Sequence, residues 1–132
     1  MIKYKKIDHP RYKYELLEDY EYELHFDNPL GLKSDYFMIL PRSTLIIEAG
    51  YCWDGCSGPT IDTKSTMRAG LVHDALYQAM REGLLSTWMK RAADDELLVI
   101  MTEDGSGWWG RFRAAYYHQA VVIFGGSSCE PN

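Results

Sequence analysis

Three side chains in this sequence have the chemistry to activate a water molecule together: His73, Tyr77 and Asp94. His73 and Tyr77 lie four residues apart in a segment whose apolar residues recur at intervals of three and four. This spacing predicts a helix with both side chains on or beside its packed side. Histidine is the usual general base near neutral pH, and it works best when a carboxylate fixes its tautomer. Asp94 shares a face of a second predicted helix with Leu97 and Met101, so we expect it to point inward and orient His73.

Asp74 follows His73 directly, and a different role is expected for its carboxylate. Neighbouring residues on a helix diverge by about 100°, so Asp74 is not expected to hold the imidazole. It is better placed to reach the Gly-rich loop, 50–59, that precedes the helix. A carboxylate beside exposed backbone carbonyls there would suit a hard cation such as calcium.

Each of these residues also has an ordinary structural interpretation. A histidine on an apolar stripe is most often a core residue with its hydrogen bonds satisfied, and Tyr77 fits a packed core equally well. The acidic run 94–96 is typical of a solvated helix face. Cys52 and Cys56, four residues apart, resemble half of a zinc site, but two further ligands at matching spacing are absent and ordinary thiols are favoured.

Composition and charge limit the class of protein. The chain has 132 residues, of which 46% are apolar and 25% charged, values typical of one globular domain. We expect a single α+β domain over 1–126 and a flexible tail over 127–132. The net charge of −5 argues against nucleic-acid binding. No apolar run is long enough for a signal peptide or a transmembrane segment. Three cysteines without an export signal indicate reduced thiols in a cytoplasm.

Hydrophobic periodicity predicts strands first and helices afterwards. Alternating segments at 12–16 and 20–26, with short apolar segments at 36–40 and 43–49, predict an antiparallel β-meander of about four strands. The period then becomes helical and predicts three α-helices. The first starts near Ser65 and ends at Gly83 as its C-cap, the second has Ser86 as its N-cap and ends before Gly105, and the third covers 108–124. This order predicts an α+β fold.

The sequence His-Asp-Ala-Leu-Tyr over 73–77 resembles the His-Asp-x-x-Tyr helix motif of the secretory A-two phospholipases. The segments 58–62 and 68–74 are similar to the loop and helix of the parvoviral capsid members of that superfamily. The resemblance implies that the first two helices form a phospholipase A-two-like pair with a calcium-assisted hydrolytic site. Carried onto this sequence, it implies these roles: His73 as the base, Asp74 as the metal ligand, Tyr77 as a supporting hydroxyl, Asp94 as the orienting carboxylate, and backbone carbonyls around Trp53, Gly55 and Gly58 as further calcium ligands.

A second resemblance covers more of the chain. The pattern Gly-Tyr-x-Trp-Asp-Gly-x-Ser-Gly-Pro over 50–59, followed by His-Asp-x-Leu-Tyr over 73–77, looks like a small family of tailed-phage and prophage proteins of unknown function. It implies a phage-encoded protein in the cytoplasm of a bacterial host, or associated with the virion.

Two functions follow as expectations. The first is a metal-assisted hydrolase that cleaves carboxylic ester bonds, with phospholipid or another ester as its substrate and calcium as its cofactor. The alternative is a non-enzymatic phage accessory or virion protein that binds a host or phage protein. In that case the His73–Asp94 network is purely structural. The oligomeric state does not follow from the sequence.

Overall fold

The computed structural model describes residues 2–53 and 64–104. Their regular elements are seven strands, two α-helices and one 3-10 turn. The strands are β1 (Tyr4–Lys6), β2 (Tyr14–Leu16), β3 (Tyr20–Asn28), β4 (Leu32–Lys33), β5 (Phe37–Ile39), β6 (Arg42–Ile47) and β7 (Cys52–Trp53). The helices are α1 (Lys64–Arg81) and α2 (Lys90–Asp104), and the 3-10 turn, Thr87–Met89, leads directly into α2.

The strands form two antiparallel sheets. One has the order β1-β2-β7 and the other the order β3-β6-β5-β4. In the second sheet Tyr22 of β3 lies opposite Leu45 of β6, and both side chains are buried. Ile39 of β5 also lies opposite Leu45, so β3 and β5 pack their apolar side chains against the central strand β6. The alternation of apolar and polar residues in the sequence therefore corresponds to a buried and an exposed face of this sheet.

The turn between β3 and β4 depends on Gly31. Its φ angle is 69°, a left-handed conformation that side chains with a Cβ rarely adopt. A Cβ at this position would lie 2.7 Å from the carbonyl oxygen of Ile39. The chain thus needs glycine here for two reasons, its backbone conformation and the close approach of a neighbouring strand.

The two helices pack antiparallel to each other. Arg68 near the start of α1 makes an ion pair of 2.9 Å with Glu103 near the end of α2. Tyr77, farther along α1, contacts Asp94 nearer the start of α2. The buried apolar side chains of the pair recur at helical spacing and are Met67, Ala69, Leu71, Val72, Ala75, Leu76, Ala79 and Met80 on α1, and Ala93, Leu97, Ile100 and Met101 on α2.

Sequence-predicted caps define the connection between the helices. Gly83 has a φ angle of 74°, its N–H donates to the carbonyl of Met80, and the N–H of Leu84 donates to that of Ala79. This is the Schellman arrangement that ends many helices. The hydroxyl of Ser86 accepts a hydrogen bond of 3.2 Å from the N–H of Trp88 and caps the 3-10 turn. The predicted C-cap is confirmed, and Ser86 is a cap as predicted but of the 3-10 turn, since α2 itself begins at Lys90.

The predicted fold class, a meander followed by three helices, is wrong. A meander fits β4, β5 and β6, but the described residues form seven strands in two antiparallel sheets and two helices. β1 and β7 have three and two residues, too few to produce a periodic signal. Both pair with β2, so that β2 belongs to a separate three-stranded sheet. The third predicted helix, 108–124, lies outside the described residues, as does the predicted tail.

The chain divides into two compact units, Met1–Asp54 and Gly55–Asn132. The first contains both sheets, and the second contains α1 and α2. The single domain predicted over 1–126 stays a prediction. No helix in 2–53 or 64–104 is long and apolar enough to cross a membrane.

Candidate active site

The candidate site lies between α1 and α2, within the second unit. His73 and Tyr77 are one turn apart on α1, so their side chains point to the same side of the helix. Asp94 faces them from α2. The exposed fractions of these residues are 3% for His73, 4% for Tyr77 and 0% for Asp94. The inward orientation predicted for Asp94 is therefore confirmed.

Asp94 is the acceptor at the centre of a hydrogen-bonded network. Its Oδ1 atom lies 2.8 Å from Nε2 of His73 and accepts a hydrogen bond of 2.5 Å from the hydroxyl of Tyr77. Its Oδ2 atom accepts a hydrogen bond of 2.8 Å from Nζ of Lys90, one turn earlier on α2. The rings of His73 and Tyr77 also contact each other, with centroids 4.0 Å apart. The structure thus brings together the three residues that the sequence proposed as base, orienter and supporting hydroxyl.

The network determines the charge on Asp94. Burial alone would raise the pKa of this carboxyl, but hydrogen bonds from His73, Lys90 and Tyr77 outweigh burial and lower the pKa below its usual value. The carboxyl is therefore ionised near neutral pH. An ionised carboxylate can only accept hydrogen bonds.

The ionised carboxylate in turn determines the tautomer of His73. Because Oδ1 of Asp94 only accepts, Nε2 of His73 at 2.8 Å must donate. When the imidazole is neutral it has one donor and one acceptor nitrogen, and the acceptor is then Nδ1. A histidine base requires one nitrogen oriented by a carboxylate and a second nitrogen that is basic. The contact of Nε2 with Asp94 supplies the first of these requirements.

Asp74, the predicted metal ligand, is half-buried on α1. The other predicted calcium ligands are backbone carbonyls in the loop before the helix. The carbonyl of Trp53 lies in the first unit, Met1–Asp54, which is called the β unit here. It accepts a hydrogen bond of 3.1 Å from the N–H of Lys13. Gly55 and Gly58 lie outside the described residues, as does Cys56 of the zinc alternative.

A calcium site needs more oxygen ligands than the carboxylate of Asp74 supplies. Calcium takes six to eight oxygen ligands. Within 2–53 and 64–104, no group of three or more His, Cys, Asp or Glu side chains is arranged to hold a metal ion. The described residues therefore do not by themselves make a calcium site. Calcium binding stays a prediction.

Sequence reasoning missed two buried or half-buried charged residues of α2. Lys90, whose side chain is 22% exposed, was not predicted as part of the site, although it precedes Asp94 by the four residues at which helical side chains meet. The same spacing places Arg91 beside Asp95 in a surface ion pair. Glu96 was assigned to a solvated face but is 2% exposed.

Comparisons with known proteins found no matching family model, no matching curated protein and no matching solved structure. The resemblances to the phospholipases and to the tailed-phage family therefore stay predictions.

Proposed function

We propose that this protein is a hydrolase in which His73 activates a water molecule that attacks a carboxylic ester. The observation that carries the proposal is the 2.8 Å contact between Nε2 of His73 and Oδ1 of the ionised Asp94. That contact fixes the tautomer in which Nδ1 is basic. The resemblance of residues 73–77 to the phospholipase motif supports an ester, and a phospholipid in particular, as the substrate.

The reaction follows from the roles of His73 and Asp94. Nδ1 of His73 accepts a proton from water while the water oxygen bonds to the ester carbonyl carbon and the π electrons of the carbonyl move onto its oxygen, from which they return in the next step. The resulting imidazolium is stabilised by the negative charge of Asp94. The proton then passes from Nδ1 to the departing alkoxide, the bond between the carbonyl carbon and that oxygen breaks, and the acid and alcohol are released.

The energetics of burial support a functional role for this network. A buried ion pair is often no more stabilising than apolar side chains of similar volume, because removing the charges from water costs several kcal/mol. Helix packing alone is therefore a weak reason for a charged pair such as Asp94 and Lys90 at this position. Titratable groups with a displaced pKa that are arranged around a histidine are concentrated at functional sites.

One observation favours the alternative function. His73 is only 3% exposed, and a structural network would be closed in this way. Under this alternative, the protein is a non-enzymatic phage accessory or virion protein, the four side chains stabilise the helix pair, and the protein acts by binding a host or phage partner. A general base also needs access for water and substrate, so measured turnover decides between the two functions.

The test is hydrolysis of phospholipid vesicles and of short-chain esters by wild type and by His73→Gln, with calcium added or chelated. General base catalysis typically contributes 10²–10⁴-fold. The proposal predicts turnover by wild type and a fall of about this factor in His73→Gln. His9 is an exposed histidine of the first unit, and His9→Gln is expected to keep the wild-type turnover. No turnover on either substrate, or equal turnover by His73→Gln, would exclude the hydrolase and favour the structural network.

A further inference from the structure

Lys90 contacts the site at a point that the proposed reaction does not use. Its Nζ atom donates to Oδ2 of Asp94 at 2.8 Å, whereas the contacts with His73 and Tyr77 are both at Oδ1. Its side chain is 22% exposed and so reaches from the edge of the helix pair to a carboxylate that is fully buried. The lysine therefore bonds the side of the carboxylate that does not meet the imidazole.

Helix stability does not explain why a lysine occupies this position. An acidic residue placed four residues before a basic one stabilises a helix more than the reverse order, and here the lysine comes first. What the position offers instead is the contact with Asp94.

The geometry indicates what that contact does. A carboxylate bonded only through Oδ1 can turn about the bond that joins it to Cβ, and this rotation moves Oδ1 relative to the imidazole. A second bond at Oδ2 fixes the plane of the carboxylate. The ammonium also compensates the buried negative charge, so that Asp94 remains an acceptor without taking up a proton itself.

We propose that Lys90 is a positioning residue: by holding Oδ2 of Asp94 it keeps Oδ1 directed at Nε2 of His73 and so maintains the imidazole in its reactive tautomer and orientation. Lys90 acts through Asp94 and does not contact the reacting atoms. Its contribution to the orientation of His73 is a property of the folded protein. Its contribution to turnover rests on the proposed function.

The chain contains a matched control for this inference. Arg91 and Asp95 have the same four-residue spacing and the same order as Lys90 and Asp94, one position farther along α2. Their contact is 3.3 Å long, and both side chains are more than half exposed. Removing the charge from Arg91 therefore reproduces the local effect on the helix without affecting the contact with Asp94.

The first readout is the tautomer of His73, measured near neutral pH on the full chain by NMR correlation of the imidazole nitrogens with the ring protons. Wild type is expected to show His73 protonated at Nε2. Lys90→Met keeps the aliphatic stem and removes the ammonium, and we expect it to weaken this signature and shift the Nε2–H resonance. Arg91→Met is expected to match wild type. An unchanged His73 signature in Lys90→Met would overturn the inference.

The second readout is turnover. A hydrogen bond to a charged group is strong enough that its loss predicts a fall in kcat of about tenfold or more in Lys90→Met, with little change in KM. Lys90→Arg, which keeps the charge, is expected to lie closer to wild type than Lys90→Met. An active wild type with equal kcat in Lys90→Met contradicts the positioning role.

The two readouts separate failure of this inference from failure of the proposed function. A wild type without turnover whose His73 signature changes in Lys90→Met, but not in Arg91→Met, excludes the hydrolase and supports positioning by Lys90. If Lys90→Met does not fold, Lys90→Gln retains a neutral donor and is measured instead. It is expected to weaken the same signature, and a signature equal to that of wild type would overturn the inference.

Discussion

At the scale of single residues, Asp94 is the group on which the site depends. It accepts hydrogen bonds from His73, Tyr77 and Lys90 while it is completely buried. Removing one partner of a buried charge pair is costly, because the remaining charge is left without compensation. Replacement of Asp94 should therefore affect both the stability of the helix pair and the orientation of His73.

The pH dependence of stability follows from the pKa of Asp94. This pKa is lower in the folded protein than the value of about 3.9 expected for the unfolded chain. The resulting stabilisation is fully present above the unfolded pKa and is lost as the pH falls through the folded pKa. We expect the free energy of unfolding, measured with urea, to decrease over this acidic range in wild type and to decrease less in Asp94→Asn.

Asp95→Asn is the control for this prediction, since Asp95 is the exposed neighbour on the same helix. Near neutral pH, Asp94→Asn should lower the free energy of unfolding by about 3 kcal/mol. Asp95→Asn should change it by no more than about 0.5 kcal/mol. Equal costs for the two variants, with equal acid dependence, would show that the buried network adds nothing to stability.

At the scale of elements, two glycines with nearly the same φ angle differ in the space available for a side chain. Gly83, which ends α1, has a φ angle of 74°, and a Cβ there would meet no atom within 4 Å. Gly31, between β3 and β4, has a φ angle of 69°, and a Cβ there would come within 2.7 Å of the Ile39 carbonyl oxygen. Comparing them separates backbone strain from steric conflict.

Gly83→Ala should lower the free energy of unfolding by about 1–2 kcal/mol, the cost of a left-handed residue with a side chain. Gly31→Ala should cost more, because the Ile39 carbonyl belongs to a strand backbone and cannot easily move. Urea denaturation of the two variants under the same conditions measures the difference. A smaller loss for Gly31→Ala than for Gly83→Ala would contradict the close approach in the β3–β4 turn.

The helix boundaries were predictable from local signals, whereas the strand partners were not. Gly83 and Ser86 mark the connection between α1 and α2 because their backbone and capping preferences act within a few residues. The pairing of β2 with β7 joins Tyr14 to Trp53, which are far apart in the sequence. Two-residue and three-residue strands such as β7 and β1 carry too little pattern to predict such pairing.

The candidate site was partly predictable for the same reason. His73, Tyr77 and Asp94 lie on the apolar stripes of long helices, and periodicity alone directs them inward. Lys90 was not predicted because it lies at the edge of the helix pair, where periodicity gives no inward direction. Its partner Asp94 was expected to contact only His73. Glu96 escaped because a run of acidic residues is usually solvated, whereas tertiary packing buries this one.

At the scale of the whole molecule, the four site residues belong to one compact unit. His73, Tyr77, Lys90 and Asp94 lie within Gly55–Asn132, and the sheets lie within Met1–Asp54. A change that strains a turn of the β unit while the protein remains folded should therefore leave the hydrogen bonds between α1 and α2 in place.

Gly31→Ala provides this test at the level of the whole chain. Under conditions in which the variant is folded by circular dichroism, the His73 tautomer signature should equal that of wild type, although the free energy of unfolding is lower. A changed signature would show that the geometry of the site depends on the β unit.

The measurement that tests the central claim most directly is the rate of ester hydrolysis by Asp94→Asn relative to Asp95→Asn. Both variants remove one carboxylate from α2, and a typical domain stability of 5–15 kcal/mol tolerates the expected loss. If Asp94 orients a catalytic His73, kcat should fall by about 10²-fold or more in Asp94→Asn and stay near the wild-type value in Asp95→Asn. Equal rates in the two folded variants would contradict a catalytic role for the Asp94–His73 pair.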